Sequence, residues 1–310
     1  MFEIVFLGTS ASAPSVHRGL TSQVILHNEH RFLVDAGEGT QRQILKSGLG
    51  FKRLDKILVT HGHLDHILGL GGLISTFVRW EAMEKIDISG GAAALQRIKD
   101  LIFGVVLRGN YPPVEINFQN LKPGVIFTGD DFSVSAFQVY HRTPDCYGFV
   151  FQEHARRPFL AEKAESLKIP PGPWRKELVE GKKVQLPDGR EITPEMVLGE
   201  EVRGTKLVHV GDAGRTDNLL EVAQGADALI IESTYLDSEV ELADEFGHLT
   251  ARQAAELALE ADVGCLLLTH ISRRYREGQV REEALSVFPN TAVARDFDRY
   301  QIKRGECQKV

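Results

Sequence analysis

The chain has 310 residues, of which 43% are hydrophobic and 25% are charged, and its formal net charge is −7. Such a chain can bury a large core, and its length allows one or two domains. It contains no apolar run of roughly 18 residues and no basic leader before an apolar stretch, so we expect no membrane span and a cytoplasmic location. The three cysteines Cys146, Cys265 and Cys307 are far apart, which predicts reduced and mostly buried thiols.

Short apolar segments alternate with amphipathic ones along the chain, which predicts strands alternating with helices. We expect strands at 3–7, 23–26, 31–35, 56–60, 86–89, 115–119, 132–140, 147–152, 206–210, 228–232, 265–269 and 291–294. We expect helices at 39–47, 67–83, 92–103, 216–224, 250–261 and 277–288. Most of these strands are too apolar to leave one face in water. The order therefore favours an α/β fold in which two sheets pack face to face with helices outside, an αββα sandwich.

Directly after the strand predicted at 56–60, six residues carry four side chains that can bind a metal ion. The hexapeptide reads His61-Gly62-His63-Leu64-Asp65-His66. So many polar groups at the rim of a sheet are costly to bury unless something coordinates them. Imidazole nitrogen and carboxylate oxygen suit Zn²⁺, and alternation in a turn lets His61 and His63 face one ion while Asp65 and His66 face a second.

The second half of the chain supplies further candidate ligands at the ends of predicted strands. His141 follows the strand at 132–140, and by itself it fits a surface or core residue as well as a ligand. Asp212 follows the strand at 206–210, where its two oxygens could bridge two cations or could cap a turn or helix. His270 ends a strongly apolar strand. Its ring is therefore either a metal ligand or a polar group that is buried at a cost in free energy.

The segment 153–204 breaks the alternation, because Pro170, Pro171 and Pro173 allow neither a helix interior nor a central strand. It is also locally basic, with Arg156, Arg157, Lys163, Lys168, Arg175, Lys176, Lys182 and Lys183. A run of charge is usually a solvated face, and nucleic-acid binding is the less common explanation. The segment is therefore either a projecting insertion that binds RNA or a disordered surface loop.

The sequence resembles the ribonuclease Z family of the metallo-β-lactamase superfamily over nearly its whole length. The hexapeptide is similar to the His-x-His-x-Asp-His signature of that superfamily, and further similar segments follow the family order at 6–14, 34–43, 146–149, 169–173, 211–212, 247–250 and 268–275. Two positions depart from the family pattern, Leu64 in place of Gly and Ala213 in place of Thr. Because leucine allows fewer backbone conformations than glycine, we expect a slightly different loop around an otherwise intact set of ligands.

This resemblance implies a zinc-dependent endoribonuclease that removes the 3′ trailer from precursor tRNA, leaving a 3′-hydroxyl on the tRNA and a 5′-phosphate on the trailer. It implies two Zn²⁺ per subunit, with ligands His61, His63 and His141 on one ion, Asp65, His66 and His270 on the other, and Asp212 between them. Asp65 would also be the general base. The chain would be one metallo-β-lactamase-like domain over 1–310, with 153–204 as an inserted flexible arm that binds tRNA at an exosite, away from the chemistry.

Three other residues receive roles from the same resemblance. His248 would protonate the leaving O3′ of the ribose, the alternative being a surface or helix-capping histidine. Glu232 would orient His248 and raise its pKa. Arg274 would bind a substrate phosphate bidentately, and Arg273 is the second choice.

Assembly and substrate leave alternatives open. The segment 67–80 is apolar on more than one helical face, so we expect a homodimer through it, as the resemblance also implies, unless the helix is simply buried in its own subunit. The alternative function is a hydrolase of small phosphodiesters or sulfate esters with the same fold. A nonenzymatic metal-binding or RNA-binding scaffold is a third possibility, which a complete set of ligands disfavours.

Overall fold

The computed structural model describes residues 1–80, 83–110, 112–143 and 145–310. They divide into a larger unit, Met1–Gln152 with Thr205–Val310, and a smaller unit, Glu153–Gly204. Among the described helices, none combines the length and the apolar character that a membrane crossing requires.

The elements are short and alternate along the chain. The strands are β1 (Phe2–Gly8), β2 (Ser22–His27), β3 (His30–Val34), β4 (Lys56–Leu58), β5 (Lys85–Gly90), β6 (Glu115–Asn120), β7 (Gly124–Thr128), β8 (Phe132–Val139), β9 (Cys146–Glu153), β10 (Val184–Gln185), β11 (Glu191–Ile192), β12 (Lys206–His209), β13 (Ala228–Glu232), β14 (Leu266–Thr269), β15 (Thr291–Val293), β16 (Arg299–Lys303) and β17 (Glu306–Lys309). The α-helices are α1 (Thr40–Lys46), α2 (Leu64–Ile67), α3 (Leu70–Trp80), α4 (Ala92–Lys99), α5 (Ala161–Ser166), α6 (Pro173–Val179), α7 (Leu220–Ala223), α8 (Val240–Phe246), α9 (Ala251–Glu260) and α10 (Glu277–Leu285).

Two large sheets form the centre of the larger unit. Over the described residues, one has eight strands in the order β17-β16-β1-β2-β3-β4-β5-β6, and the other has seven in the order β15-β14-β13-β12-β9-β8-β7. Aromatic side chains such as Phe6, Phe32 and Phe149 fill the space between the sheets. Helices α3 and α4 cover the outer face of the first sheet, and α9 and α10 cover that of the second. This arrangement is the predicted αββα sandwich.

Parallel strands bring the candidate ligands to one edge of each sheet. In the first sheet β3 and β4 are parallel, and in the second sheet β12, β13 and β14 are parallel. The carboxyl ends of parallel strands lie together, so the loops that follow them share a rim. His61 comes after β4, Asp212 after β12 and His270 after β14.

Three predicted helices differ from those in the structure. The helix expected at 67–83 is two helices, α2 and α3, because the Gly69 N–H donates to the Ala36 carbonyl (2.8 Å); residues 81 and 82 lie outside the described residues. The helix expected at 92–103 ends as α4, and a π-helix follows at Asp100–Leu107. The helix expected at 216–224 is only the single turn of α7, which ends two residues before Gly225, whose φ is 61°.

Several strands were not predicted. β7 is a half-exposed strand, so its apolar residues do not form a buried run. The hairpin of β16 and β17 alternates polar and apolar residues and turns at Gly305, whose φ is 72°. Such strands give a weaker sequence signal than continuous apolar runs.

The smaller unit is folded, so the alternative of a disordered surface loop was wrong. It contains α5, α6 and the β10–β11 hairpin. Its own hydrophobic core comprises Ala164, Ile169, Leu178, Val184, Leu186, Ile192 and Val197. Arg175 stabilises the proline-rich turn, because its Nη2 donates to the Ile169 carbonyl at 2.7 Å.

Candidate metal centre

The seven predicted metal ligands lie together in the structure. Two groups of atoms, each within 4.8 Å of one another, consist of His61, His63, His141 and Asp212, and of Asp65, His66 and His270. A third group, Asp212, His248 and His270, shares two residues with them. Asp212 Oδ2 lies 3.8 Å from His61 Nε2 and 3.4 Å from both His66 Nε2 and His270 Nε2. The Asp212 carboxylate therefore stands between the two sets of ligands.

Hydrogen bonds fix the tautomers of the candidate ligands. His66 Nδ1–H donates to Asp35 Oδ2 (2.8 Å), and His141 Nδ1–H donates to the Gly247 carbonyl (2.6 Å). Thr60 gives its hydroxyl hydrogen to Asp35, so its oxygen is left to accept from His61 Nδ1–H (3.1 Å). In each ring Nδ1 carries a proton, so Nε2 is the nitrogen that can bind a cation.

His270 is held in the same way at the other side of the centre. Its Nδ1–H donates to Thr234 Oγ1 (2.9 Å), while the Thr234 hydroxyl donates to Glu232 Oε2. Its backbone φ is 55°, a left-handed conformation that histidine adopts infrequently. The bend directs the ring towards Asp65, whose Oδ2 lies 3.4 Å from His270 Nε2 and also accepts from the Ser12 N–H (3.0 Å).

The buried atoms that face the centre lack hydrogen-bond partners. His61 Nε2, His66 Nε2 and Asp212 Oδ1 are buried, and none of them has a partner among the described residues. An unpaired buried nitrogen and carboxylate oxygen are costly, and a coordinated cation removes that cost. The donor set, imidazole with carboxylate, fits Zn²⁺ or another divalent transition metal.

The charges of the centre also favour a bound cation. Burial lowers the pKa of His61 well below its usual value and lowers that of His63 to about 4, so both rings are neutral at neutral pH. Burial opposes ionisation of Asp212, but His270 and His66 hold its pKa well below its usual range. Burial likewise opposes protonation of His66, while Asp212 and Asp35 raise its pKa well above the usual value. The carboxylates thus demand a positive charge at this point, which a metal ion supplies as well as a proton does.

His248 lies beside the centre, where Glu232 determines its protonation. Its Nδ1–H donates to Glu232 Oε1 at 2.9 Å. Burial alone would disfavour the charged ring, but the Glu232 carboxylate raises the pKa of His248 to about 9. Glu232 is fully buried, and its Oε1 also accepts from the Ala213 N–H (2.8 Å). The imidazolium is therefore the main form at neutral pH, with Nδ1 occupied and Nε2 able to donate.

Arg274 pairs with a carboxylate that is not one of the candidate metal ligands. Its Nη2 donates to Glu239 Oε1 at 2.5 Å, and the Tyr275 hydroxyl donates to the same carboxylate. Arg273, the second choice in the sequence, lines a cavity of about 550 Å³ together with Ser10, Arg18 and Ile271. Ile271 directly follows His270 in the chain.

Comparison with known proteins agrees with this geometry. A family model described as Anti-Pycsar protein Apyc1 matches residues 2–157, and one described as Beta-lactamase superfamily domain matches residues 177–271. A ribonuclease Z from Bradyrhizobium diazoefficiens is 44% identical over 302 residues, which are 97% of this chain and 100% of that protein. A ribonuclease Z from Archaeoglobus fulgidus is 41% identical over 309 residues, 99% of each chain. The chain belongs to the ribonuclease Z family.

Solved structures support the same assignment. The crystal structure of human tRNase Z, short form, has a TM-score of 0.69 at 25% identity and covers 97% of this chain and 99% of that one. The metallo-β-lactamase fold protein YhfI from Bacillus subtilis, at 16% identity and a TM-score of 0.67 over 96% of this chain and 98% of that one, shows the fold alone. The predicted family and fold are confirmed, and the protein is a metal-dependent nuclease.

The two departures from the family pattern have simple structural consequences. Leu64 is the first residue of α2, where leucine is as suitable as glycine, and its side chain is 55% exposed. The expectation that the loop around Leu64 differs slightly in shape from that of the family stays a prediction. Ala213 contributes its backbone N–H to Glu232, a contact that needs no particular side chain.

Residues with a role in the centre were also missed. Asp35 is fully buried and accepts from the Thr60 N–H (2.8 Å) and the Thr60 hydroxyl (2.7 Å) as well as from His66. Thr234 connects His270 to Glu232. The signal for Asp35 was present in the sequence, because this carboxylate directly follows a strand of the first half.

Proposed function

We propose that this member of the ribonuclease Z family removes the 3′ trailer from tRNA precursors, with two Zn²⁺ ions per subunit held by the seven ligands described above. The observation that supports this best is the pair of ligand groups around Asp212, in which the free Nε2 atoms of the buried rings face one another. The activity of the ribonuclease Z family fits the hydrolysis of a phosphodiester that leaves a ribose 3′-hydroxyl. The imidazole and carboxylate ligands and the position of His248 fit the same reaction. The reaction belongs to the cytoplasm, where tRNA is processed.

Zinc ions bound here would make a water nucleophilic at neutral pH and would neutralise charge on the phosphoryl oxygens. Around them, the chain itself supplies proton transfer and orientation. One Asp65 oxygen is fixed by the Ser12 N–H, and the other is available to take a proton from the attacking water. Burial opposes ionisation of Asp65, but the hydrogen bond with His270 and the charge of His66 lower its pKa, so the base is ionised.

His248 is the proposed general acid. Breaking the P–O3′ bond leaves an alkoxide of high pKa, which requires a proton as the bond breaks. Glu232 keeps His248 protonated and fixes its Nδ1, so the proton leaves from Nε2. Glu232 is thus a positioning residue, and through Thr234 it also orients His270. Arg274 and Arg273 remain candidates for binding a neighbouring phosphate.

The unit 153–204 is the proposed arm of the larger domain and binds the precursor tRNA away from the reacting phosphate. Arg156, Lys163 and Lys168 are exposed on it, and exposed cations bind RNA mainly through phosphates. Lys182, in contrast, already pairs with Glu180 at 2.7 Å. The Lys163→Gln change should therefore flatten the salt dependence of tRNA binding by about one unit of slope, and Lys182→Gln should have a smaller effect.

The structure offers a precise way to delete the arm. Gln152 of β9 pairs with Lys206 of β12 in an antiparallel register, so Glu153 and Thr205 can close a hairpin. Replacing residues 154–204 with Asn-Gly supplies the two-residue turn that such a hairpin favours. The variant should hydrolyse bis-p-nitrophenyl phosphate like the intact enzyme but show a strongly raised KM for precursor tRNA.

An unchanged KM and salt dependence for precursor tRNA would contradict the arm proposal and favour the small-phosphodiester alternative. Loss of hydrolysis of both substrates would instead be checked against the circular dichroism and metal content of the variant, so that misfolding is recognised. The Lys163→Gln measurement decides in that case, because it leaves the fold of the arm intact.

A homodimer through the segment 67–80 is also part of the proposal. Leu70, Leu73 and Phe77 are buried in the subunit core, but Leu68 and Trp80 are exposed, the latter by 61%. Trp80→Asp should reduce the mass measured by light scattering at micromolar concentration. Leu259→Asp, at an exposed position of α9, is the matched control. A strictly monomeric mass for the unmodified protein would exclude the dimer.

A further inference from the structure

An exposed aromatic ring precedes His248 by two residues and carries a guanidinium on its surface. The ring is that of Phe246, whose side chain is 39% exposed. The guanidinium is that of Arg142, which directly follows the candidate ligand His141, and its Cζ lies 5.6 Å from the centroid of the Phe246 ring. Arg142 is itself exposed. Neither residue takes part in the proposed chemistry, so the Arg142–Phe246 pair requires a separate explanation.

Contacts of Gly247 fix this pair relative to the metal centre. His141 Nδ1–H donates to the Gly247 carbonyl at 2.6 Å, which joins the segment of Arg142 to that of Phe246. Gly247 has a φ of 67°, and a Cβ placed on it would lie 2.7 Å from Arg142 Cγ. The side chain of Arg142 therefore lies directly against the residue between Phe246 and His248. The rings of His141 and His248 are themselves only 5.0 Å apart, measured between their centroids.

The charge of Arg142 is not neutralised by a carboxylate. Among the residues that the structure describes, Arg142 forms no ion pair, and its guanidinium contacts the Phe246 ring. Arg215 provides a comparison, because its guanidinium also lies over an exposed ring, that of Tyr140 at 4.7 Å, but pairs with Asp217. Arg142 thus keeps its charge and its flat guanidinium for a ligand. Guanidinium planes and aromatic rings are the surfaces on which proteins stack unpaired bases of RNA.

The direction of the proposed reaction identifies the nucleotide that lies nearest to this pair. In phosphoryl transfer the attacking and the leaving oxygen lie on opposite sides of the phosphorus. His248, as the proposed acid, must reach the leaving O3′ within hydrogen-bond distance. That oxygen belongs to the last nucleotide of the tRNA, so this nucleotide lies on the side of His248, and the trailer extends in the opposite direction. The Arg142–Phe246 pair is on the His248 side, because both of its residues contact or adjoin Gly247.

We propose that Arg142, supported by Phe246, stacks on the base of the last tRNA nucleotide and thereby positions its O3′ for His248. This subsite rests on the proposed function, because it requires an RNA substrate. Arg142 contacts the base, and Phe246 acts through Arg142 as a positioning residue. Since every base has a flat face, stacking of this kind tolerates any nucleotide at that position.

The test is a double-mutant cycle in which one change is made in the protein and the other in the RNA. Precursor tRNA is prepared with either a normal or an abasic last tRNA nucleotide, and kcat/KM for cleavage by the zinc-loaded protein is measured on both. The wild-type protein should cleave the abasic precursor roughly tenfold less efficiently. Arg142→Ala should cleave the normal precursor roughly tenfold less efficiently. On the abasic precursor the same change should cost less than about threefold, because the stacking partner is already missing.

Three further variants separate stacking from charge and from the fold. Arg142→Lys keeps the charge but not the flat guanidinium, so it should also lose most of the difference between the two precursors. Phe246→Ala removes the support of the guanidinium and should reduce that difference in part. Arg215→Ala is the matched control, because it removes a cation that also lies over an exposed ring but is already paired with Asp217. It should leave the difference between the precursors unchanged.

Equal losses of Arg142→Ala on the two precursors, at unchanged zinc content and circular dichroism, would overturn the subsite but leave the proposed function standing. Equal cleavage of both precursors by the wild-type protein would overturn it as well. If Arg142→Ala loses zinc or does not fold, Arg142→Lys decides, and a wild-type difference between the precursors in that variant would contradict stacking. A zinc-loaded wild-type protein that cleaves neither precursor would instead contradict the proposed function, and the subsite with it.

Discussion

Asp35 allows the structure of the metal centre to be tested without removing a ligand. Its carboxylate accepts three hydrogen bonds, from His66 Nδ1–H, the Thr60 N–H and the Thr60 hydroxyl. The change Asp35→Asn keeps the size of the side chain but replaces one acceptor with an amide donor and removes the charge. His66 then loses the partner that holds its proton on Nδ1 and directs its Nε2 into the centre.

The expected effect follows from this contact. Loss of such a partner of a ligating histidine typically lowers metal affinity by about 10–100-fold, or about 1.4–2.7 kcal/mol. Because the Asp35–His66 contact is fully buried, we expect a value near the upper end. Zinc affinity should be measured by competition with a chromophoric chelator at neutral pH, and nuclease activity should recover when excess zinc is added.

Asp296 provides the matched control for this measurement. Its carboxylate also accepts three hydrogen bonds, from the Thr9 hydroxyl, the Gly19 N–H and the Gln43 amide. None of these three donors is a predicted ligand, so Asp296→Asn should lower stability but leave zinc affinity unchanged. Equal zinc affinity for wild type and Asp35→Asn, or equal losses in both variants, would refute the reasoning.

Three further perturbations have distinct outcomes. Asp65→Ala removes a ligand and the base, so single-turnover cleavage should fall by several orders of magnitude while tRNA binding persists; near wild-type cleavage with zinc bound would exclude this role. His248→Ala should reduce cleavage of precursor tRNA more than hydrolysis of bis-p-nitrophenyl phosphate, whose phenolate leaves without a proton, and equal losses on the two substrates would remove His248 from the acid role. Burial lowers the pKa of His209 to about 4, below the value of about 6.5 in the unfolded chain. The unfolded state therefore binds more protons as the pH falls from 7 to 5, which should cost about 2 kcal/mol of stability. Urea unfolding of the metal-free protein should show that His209→Gln removes this part of the pH dependence, and an unchanged dependence would contradict the assignment.

Three of the candidate ligands could be predicted from the sequence because each is a metal-capable side chain at the end of an apolar strand. His61, Asp212 and His270 follow β4, β12 and β14, and parallel strands bring such ends to one rim. Asp35 follows β3 in the same way, but its role depends on β3 being the parallel neighbour of β4. Strand order is a property of the fold, and local patterns do not contain it.

Other features were inaccessible to local patterns for similar reasons. The hairpin of β16 and β17 was missed, because its alternating residues gave no buried apolar run. The segment 153–204 contains too many prolines for long elements, yet its apolar residues were sufficient for a core of its own. The order of the elements fitted two sheets with outer helices, and the resemblance of several motifs in order implied both this fold and the family.

The most direct measurement is the cleavage of a 3′-extended precursor tRNA by protein that has been stripped of metal and then reloaded with defined amounts of zinc. Activity should be absent from the stripped protein and should reach its maximum at about two zinc ions per chain. Both products should be mapped, and we expect a 3′-hydroxyl on the tRNA and a 5′-phosphate on the trailer. A 2′,3′-cyclic phosphate or 3′-phosphate on the tRNA, or full activity without metal, would contradict the proposed metal-dependent hydrolysis.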